Sequence, residues 1–265
     1  MSVQVSARFA FSFEQETAAL LQFEAAELPE QQVTDIRCDI TRTEHLARVP
    51  SQDDIGERVW LRGSGRIAID YSARVEVNRD LHRLEDLAAL DPSNLPGETV
   101  SYLFDSRYCR ADKFQKLVSS EFGESSGGAR IAAIREWIAR HFRYVPGASD
   151  VNTDATDTYV SREGICRDYA HVLVTMARAS MIPARYVACY APGVEPQDFH
   201  AIAEVFLADP SGVGGTWQMV DATGMADLAH AVKIGVGRDA ADVSFVTSFG
   251  PMKFEYSKVE VSQGN

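Results

Sequence analysis

Cysteine is scarce and scattered in this sequence: the four, Cys38, Cys109, Cys166 and Cys189, include no CxxC pair. That spacing excludes a dense disulfide framework and paired zinc knuckles, and fits one reactive thiol among ordinary buried ones. Basic residues are also short, 26 Lys and Arg against 38 Asp and Glu, for a formal net charge of −12. Nucleic acid and anionic membrane both need a basic face, so neither is expected as a partner. No apolar run approaches a bilayer span, and residues 1–13 lack a basic leader followed by an unbroken apolar stretch. A soluble cytoplasmic protein is the expectation. Repeats and low-complexity tracts are absent as well, and 265 residues at 45% hydrophobic content suffice for one large domain or two modest ones.

What is present changes character along the chain. Val3, Val5, Ala7, Phe9, Phe11 and Phe13 alternate with mostly polar partners, the period-2 pattern of a half-buried strand. Val59-Trp60-Leu61 and the alternating set from Ile67 to Val77 flank Gly63-Ser64-Gly65, which predicts a hairpin with turn glycines. An antiparallel, β-sandwich-like unit over residues 1–95 follows, with the turn-rich segment 91–97 as linker. Residues 96–265 form the second unit. There, Ile131, Ile134, Trp137, Ile138 and Phe142 recur at steps of three and four and predict an amphipathic helix stopped by Pro146-Gly147, with Trp137 in the core. A second helix over the apolar run 170–181 starts near Cys166, and short strands are expected at 185–190, 200–207, 216–220 and finally 252–261. Helices first and antiparallel strands after make the class α+β, with the cysteine helix packed on the sheet.

Three residues stand at element boundaries in this second unit. Cys166 opens its helix, where free backbone N–H groups and a partial positive charge favour a thiolate. His200 heads one strand and Asp221 closes the next, so neighbouring strands can hold an imidazole against a carboxylate. Such a set supports nucleophilic catalysis: Cys166 attacks a carbonyl, His200 moves the proton, and Asp221 fixes the ring's tautomer. The Cys166 backbone N–H is the natural first oxyanion donor. Tyr159 and Tyr144 are candidates for the second, although a buried tyrosine commonly just satisfies a backbone acceptor. Taken singly, each of the three has an ordinary structural explanation, an inert core cysteine, a packed histidine and a turn aspartate. Taken together, in this order, they support one another.

Other features reduce to structural roles. Asp168 complements the N-terminal end of its helix, or tunes the thiol. His171 packs or hydrogen-bonds within the helix; it is five residues from Cys166, about 140° around the helix, so the two share no face with His200 for a metal. Glu204 is read as solvent-facing or ion-paired. Gly235-Val236-Gly237 lacks the preceding strand and third glycine of a dinucleotide site and is read as a turn. No cofactor and no metal are expected.

At these residues the sequence resembles the bacterial transglutaminase-like superfamily. Gly164-Ile165-Cys166-Arg167-Asp168-Tyr169-Ala170-His171 resembles its nucleophile helix, Ile134-Arg135-Glu136-Trp137-Ile138 its first helix, and His200-Ala201-Ile202-Ala203-Glu204-Val205-Phe206 its histidine strand. Tyr102 to Tyr108 and Gly237 to Val243 are similar to segments that precede and follow them. The resemblance covers about residues 100–250 and implies a papain-like core with Cys166, His200 and Asp221 as its triad, preceded by an N-terminal β-domain. Where many members have His-Ala-Trp and Asp-Pro-Thr, this chain has His200-Ala201-Ile202 and Asp221-Ala222-Thr223. The implied activity is acyl transfer through a thioester on a peptide or protein substrate or a small amide, by a cysteine peptidase or amidase. An amine-accepting protein-glutamine transglutaminase and a non-catalytic binding or scaffold module are the alternatives. The choice of acceptor depends on loops such as 191–198 and 209–215, which carry no readable code.

Overall fold

A computed structural model describes residues 2–52 and 56–264. The first sheet is built on two long strands, β1 (Ser2–Leu21) and β4 (Arg58–Val77), antiparallel along their length. β2 (Gln31–Ile40) and β3 (His45–Val49) pair with successive portions of β4. Val3, Val5, Ala7, Phe9, Phe11 and Phe13 are all at most 2% exposed and pack with Ile67, Ile69, Tyr71, Ala73 and Val75. The alternation thus becomes a one-sided core.

The expected hairpin at Gly63-Ser64-Gly65 is not formed, and β4 runs straight through these residues. Phe13 faces Gly65 and Thr17 faces Gly63, so four residue steps on β1 oppose two on β4. Gly65 takes φ +72°, a conformation that suits glycine. Here the glycines accommodate a bulge in the partner strand instead of reversing the chain.

Beyond β4, Asp91 accepts the Ser93 N–H at 2.8 Å in the turn-rich segment. The helical layer then comprises α1 (Gly97–Val100), α2 (Gln115–Phe122) and α3 (Gly127–His141). A two-residue strand β5 (Arg143–Tyr144), α4 (Ala155–Ser161), β6 (Glu163–Gly164) and α5 (Cys166–Ala179) complete it. Ile131, Ile134 and Ile138 of α3 are fully buried, as their spacing requires. Trp137 is partly buried, its ring stacked on Tyr159.

The second sheet holds β7 (Ala184–Tyr190), β8 (His200–Ala208), β9 (Gly215–Val220) and β10 (Val232–Gly237), antiparallel in the order β10-β7-β8-β9. Leu173, Val174, Met176 and Ala177 of α5 share one core with Ala203, Val205 and Leu207 of β8. Ile202, Val187, Met219 and Val236 form another cluster of the same sheet, where Ile202 is wholly enclosed. Tyr190, Val232 and Ile234 belong to the core of the first sheet, which joins the two. The chain then returns as β11 (Val246–Ser248) and β12 (Lys253–Gln263), both antiparallel to β1. The last strand therefore lies in the sheet of the first segment. The class is α+β, with a central helix packed on an antiparallel sheet.

Candidate active site

The turn that presents Cys166 is held from two sides. Tyr144 of β5 pairs with Gly164 of β6, and the Val145 N–H donates to the Gly164 carbonyl at 2.9 Å. A side chain at Gly164 would put its Cβ 2.7 Å from the Asp168 Cβ, so the close approach requires glycine. Asp168, fully buried, folds back on the turn. Its carboxylate accepts the Ile165 N–H at 2.8 Å, the Ser149 hydroxyl, and Arg167 Nη2 at 2.9 Å. It therefore caps the helix start that carries the thiol.

Cys166 borders a cavity of about 360 Å³ shared with His200, Tyr186, Asp198 and Phe199. His200 is 2% exposed, and its Nε2 lies 3.1 Å from Asp221 Oδ2. Nδ1 has no hydrogen-bond partner among the described residues, and the Cys166 thiol is the ring's other influential neighbour. Burial alone would lower the imidazole's pKa, but the Asp221 hydrogen bond and Cys166 reverse this and raise it to about 9. His200 is accordingly an imidazolium at neutral pH. Burial would raise the Asp221 carboxyl, yet hydrogen bonds hold it below its ordinary value. Besides His200, it accepts from the Thr223, Met225 and Ala226 N–H groups at 2.8, 3.0 and 2.9 Å. The Asp221-Ala222-Thr223 turn and the carboxylate that orients the histidine are one feature.

The two tyrosines part company. Tyr144 adjoins the Cys166 turn, within reach of its backbone and thiol; burial, with Cys166 next, pushes its phenol well above the ordinary value and keeps the proton available for donation. Tyr159 instead packs between Phe114 and Trp137 with Arg162 over its ring, and does not border the Cys166 cavity. His171 does not line the cavity; it is stacked on Tyr108 and accepts the Ala240 N–H at 3.2 Å. Burial pushes it down to about 3, so it is neutral. Glu204 is not solvent-facing: it is 1% exposed and bonds Arg185 and Lys233 at 2.7 and 2.5 Å. Among the described residues, no group of three His, Cys, Asp or Glu side chains is placed to hold a metal ion.

Several residues bordering the cavity carry no sequence signal. Asp198 accepts the Phe199 N–H and the Ser257 hydroxyl. Gln22, Ser244, Phe245, Phe254 and Ser257 come from around the first sheet and its C-terminal strands. Only the packing of the two sheets brings them beside Cys166.

The pattern that defines the transglutaminase-like superfamily matches residues 116–222, from α2 through Asp221. A solved structure from Cytophaga hutchinsonii, described as a candidate cysteine protease, is 30% identical and superposes with a TM-score of 0.90 over 99% of this chain and 90% of that one. This chain belongs to the transglutaminase-like superfamily. An uncharacterized protein of Mycobacterium leprae is 26% identical over 132 residues, 48% of this chain and 44% of that protein. An uncharacterized protein of Mycobacterium tuberculosis is 29% identical over 136 residues, 47% of this chain and 43% of its own length. The matches thus span somewhat less than half of these curated relatives.

Proposed function

We propose that this superfamily member is a thiol-dependent acyl-transfer enzyme acting on amide bonds, a cysteine peptidase or amidase. The observation that carries the reading is the buried His200–Asp221 pair beside Cys166 at the start of a buried helix. The similarity to the Cytophaga hutchinsonii chain described as a candidate cysteine protease supports it.

In this reading the Cys166 sulfur, its proton held by His200, attacks the amide carbonyl carbon and forms a C–S bond. The carbonyl oxygen becomes an oxyanion that the Cys166 backbone N–H and the Tyr144 hydroxyl stabilise as donors. His200 then gives its proton to the departing amine as the C–N bond breaks, leaving a thioester. Water attacks next, and its proton passes to His200, which returns one to the sulfur as the carboxylic acid leaves. Asp221 keeps its charge throughout and stabilises the imidazolium.

Cys166→Ala is expected to abolish labelling by a thiol-reactive affinity probe, and mass spectrometry after incubation with a peptide and amide library is expected to find an acyl adduct on Cys166. Labelling that persists in the variant, or an adduct on another residue, would sink the assignment.

A further inference from the structure

The cavity holding Cys166 is not the largest in the molecule. A neighbouring one of about 600 Å³ lies between the end of β1, the start of β4 and the segment after β10. Gln22 and Ser244 line both cavities and so form the partition between them. Gln22 is only 2% exposed, yet its Nε2 has no acceptor among the described residues. Arg58, on the far cavity's wall, likewise has a buried Nε with no acceptor among the described residues. Buried donors are nearly always satisfied, and leaving them unpaired is costly. Both side chains border this one cavity, so an acceptor bound there would be within a side-chain rotation of either donor.

The charge balance defines that acceptor. Arg58, Arg238 and Asp242 border the larger cavity. Arg238 and Asp242 neutralise each other, the carboxylate accepting from Arg238 N, Nε and Nη2 at 2.9, 3.0 and 3.2 Å. Among the described residues that border this cavity, Arg58 is left as the uncompensated charge. We propose that this cavity is a carboxylate-binding subsite of the acyl-transfer site, with Arg58 supplying the charge and Gln22 Nε2 a hydrogen bond. The substrate is accordingly an amide that carries a carboxylate, in an acidic side chain or at a free chain end. The assignment rests on the acyl-transfer reading of Cys166.

Matched peptidyl vinyl sulfones test it, read as the rate of mass addition at Cys166. One carries an amide-capped Glu, one Gln in its place, and one a neutral residue with a free terminal carboxylate. A carboxylate probe is expected to react at least about tenfold faster than the Gln probe, as a charge-assisted hydrogen bond provides. Whichever carboxylate probe is faster identifies the source. The preference is expected to fall toward one in Arg58→Gln and in Gln22→Glu, and to survive in Arg58→Lys, with folding checked by thermal melting. Equal rates in the native protein, or an undiminished preference in both Arg58→Gln and Gln22→Glu, would overturn the subsite. If Arg58→Gln does not fold, Gln22→Glu decides alone. If no probe labels Cys166, the acyl-transfer reading fails by itself. Calorimetric titration of the native protein with acetyl-glutamyl-methylamide and with acetylglycine then decides the subsite: saturable binding weakened in Gln22→Glu sustains it, and no binding of either overturns it.

Discussion

Carboxylates in the two sheets live in opposite settings. In the first sheet, Arg8–Glu260 links the adjacent β1 and β12 at 3.4 Å and Arg66–Glu255 reaches across β1 from β4 to β12 at 2.8 Å, with all four side chains partly in water. In the second, Glu204 is enclosed between Arg185 and Lys233, and Lys233 extends to Glu30 at 2.9 Å, tying the N-terminal segment to β10. Burial would raise the Glu204 carboxyl, but Lys233 and Arg185 hold it down to about 2. The difference follows from coverage. Along most of β1, buried and more open positions alternate, whereas eight of the nine residues of β8 are buried. A polar side chain on β1 can point outward; one on β8 must find partners. Charges in the second sheet therefore mark either the candidate site or the joint between layers.

The largest expected effect lies at the site. Asp221→Asn, which keeps the shape but not the charge behind His200, is expected to lower amide turnover by roughly 10²–10⁴-fold. Turnover near the native rate would remove Asp221 from the mechanism. Next, Glu204→Ala removes the buried carboxylate between Arg185 and Lys233 and is expected to cost about 3–5 kcal/mol in urea unfolding. A cost as small as that of a surface pair would erase the contrast between the sheets. At the other extreme, Glu255→Gln is expected to leave the urea midpoint unchanged, because solvent and salt already screen the pair with Arg66.

The pH responses of the buried pairs have opposite signs. His200 has a folded pKa of about 9, above its ordinary 6.5. The stability it contributes is complete below about pH 6.5 and is lost as pH rises through about 9. In the proposed mechanism His200 acts as the acid, so amide turnover is expected to fall above about pH 9, while alkylation by iodoacetamide is not. A turnover profile that stays level through pH 10 (about one unit beyond that value) would contradict this assignment. Glu204 is lowered from 4.5 to about 2, so its contribution is present above about pH 4.5 and lost as pH falls toward 2.

Much of the local structure was legible. The strands carrying His200 and Met219 and the helices α3 and α5 lie within a few residues of where periodicity puts them, since each pattern reflects a face that must be buried. The glycines of β4 misled because Gly-Ser-Gly suits a turn and a bulge equally, and only the partner strand distinguishes them. β12 was recognisable as a strand but not as a neighbour of β1, a pairing between opposite ends of the chain. Tyr144 and Tyr159 looked equivalent upstream of the cysteine, and the two-residue pairing of β5 with β6 separates them.

By itself, then, the sequence determined the element types, the order Cys166, His200, Asp221 and the resemblance that they carry, because hydrophobic period and motif are properties of neighbouring residues. Only the tertiary structure decided that Nε2 of His200 meets Asp221, that Tyr144 adjoins the thiol, and that Gln22 and Arg58 border adjoining space. These residues meet because two sheets share a core, and that convergence leaves no spacing in the chain to read.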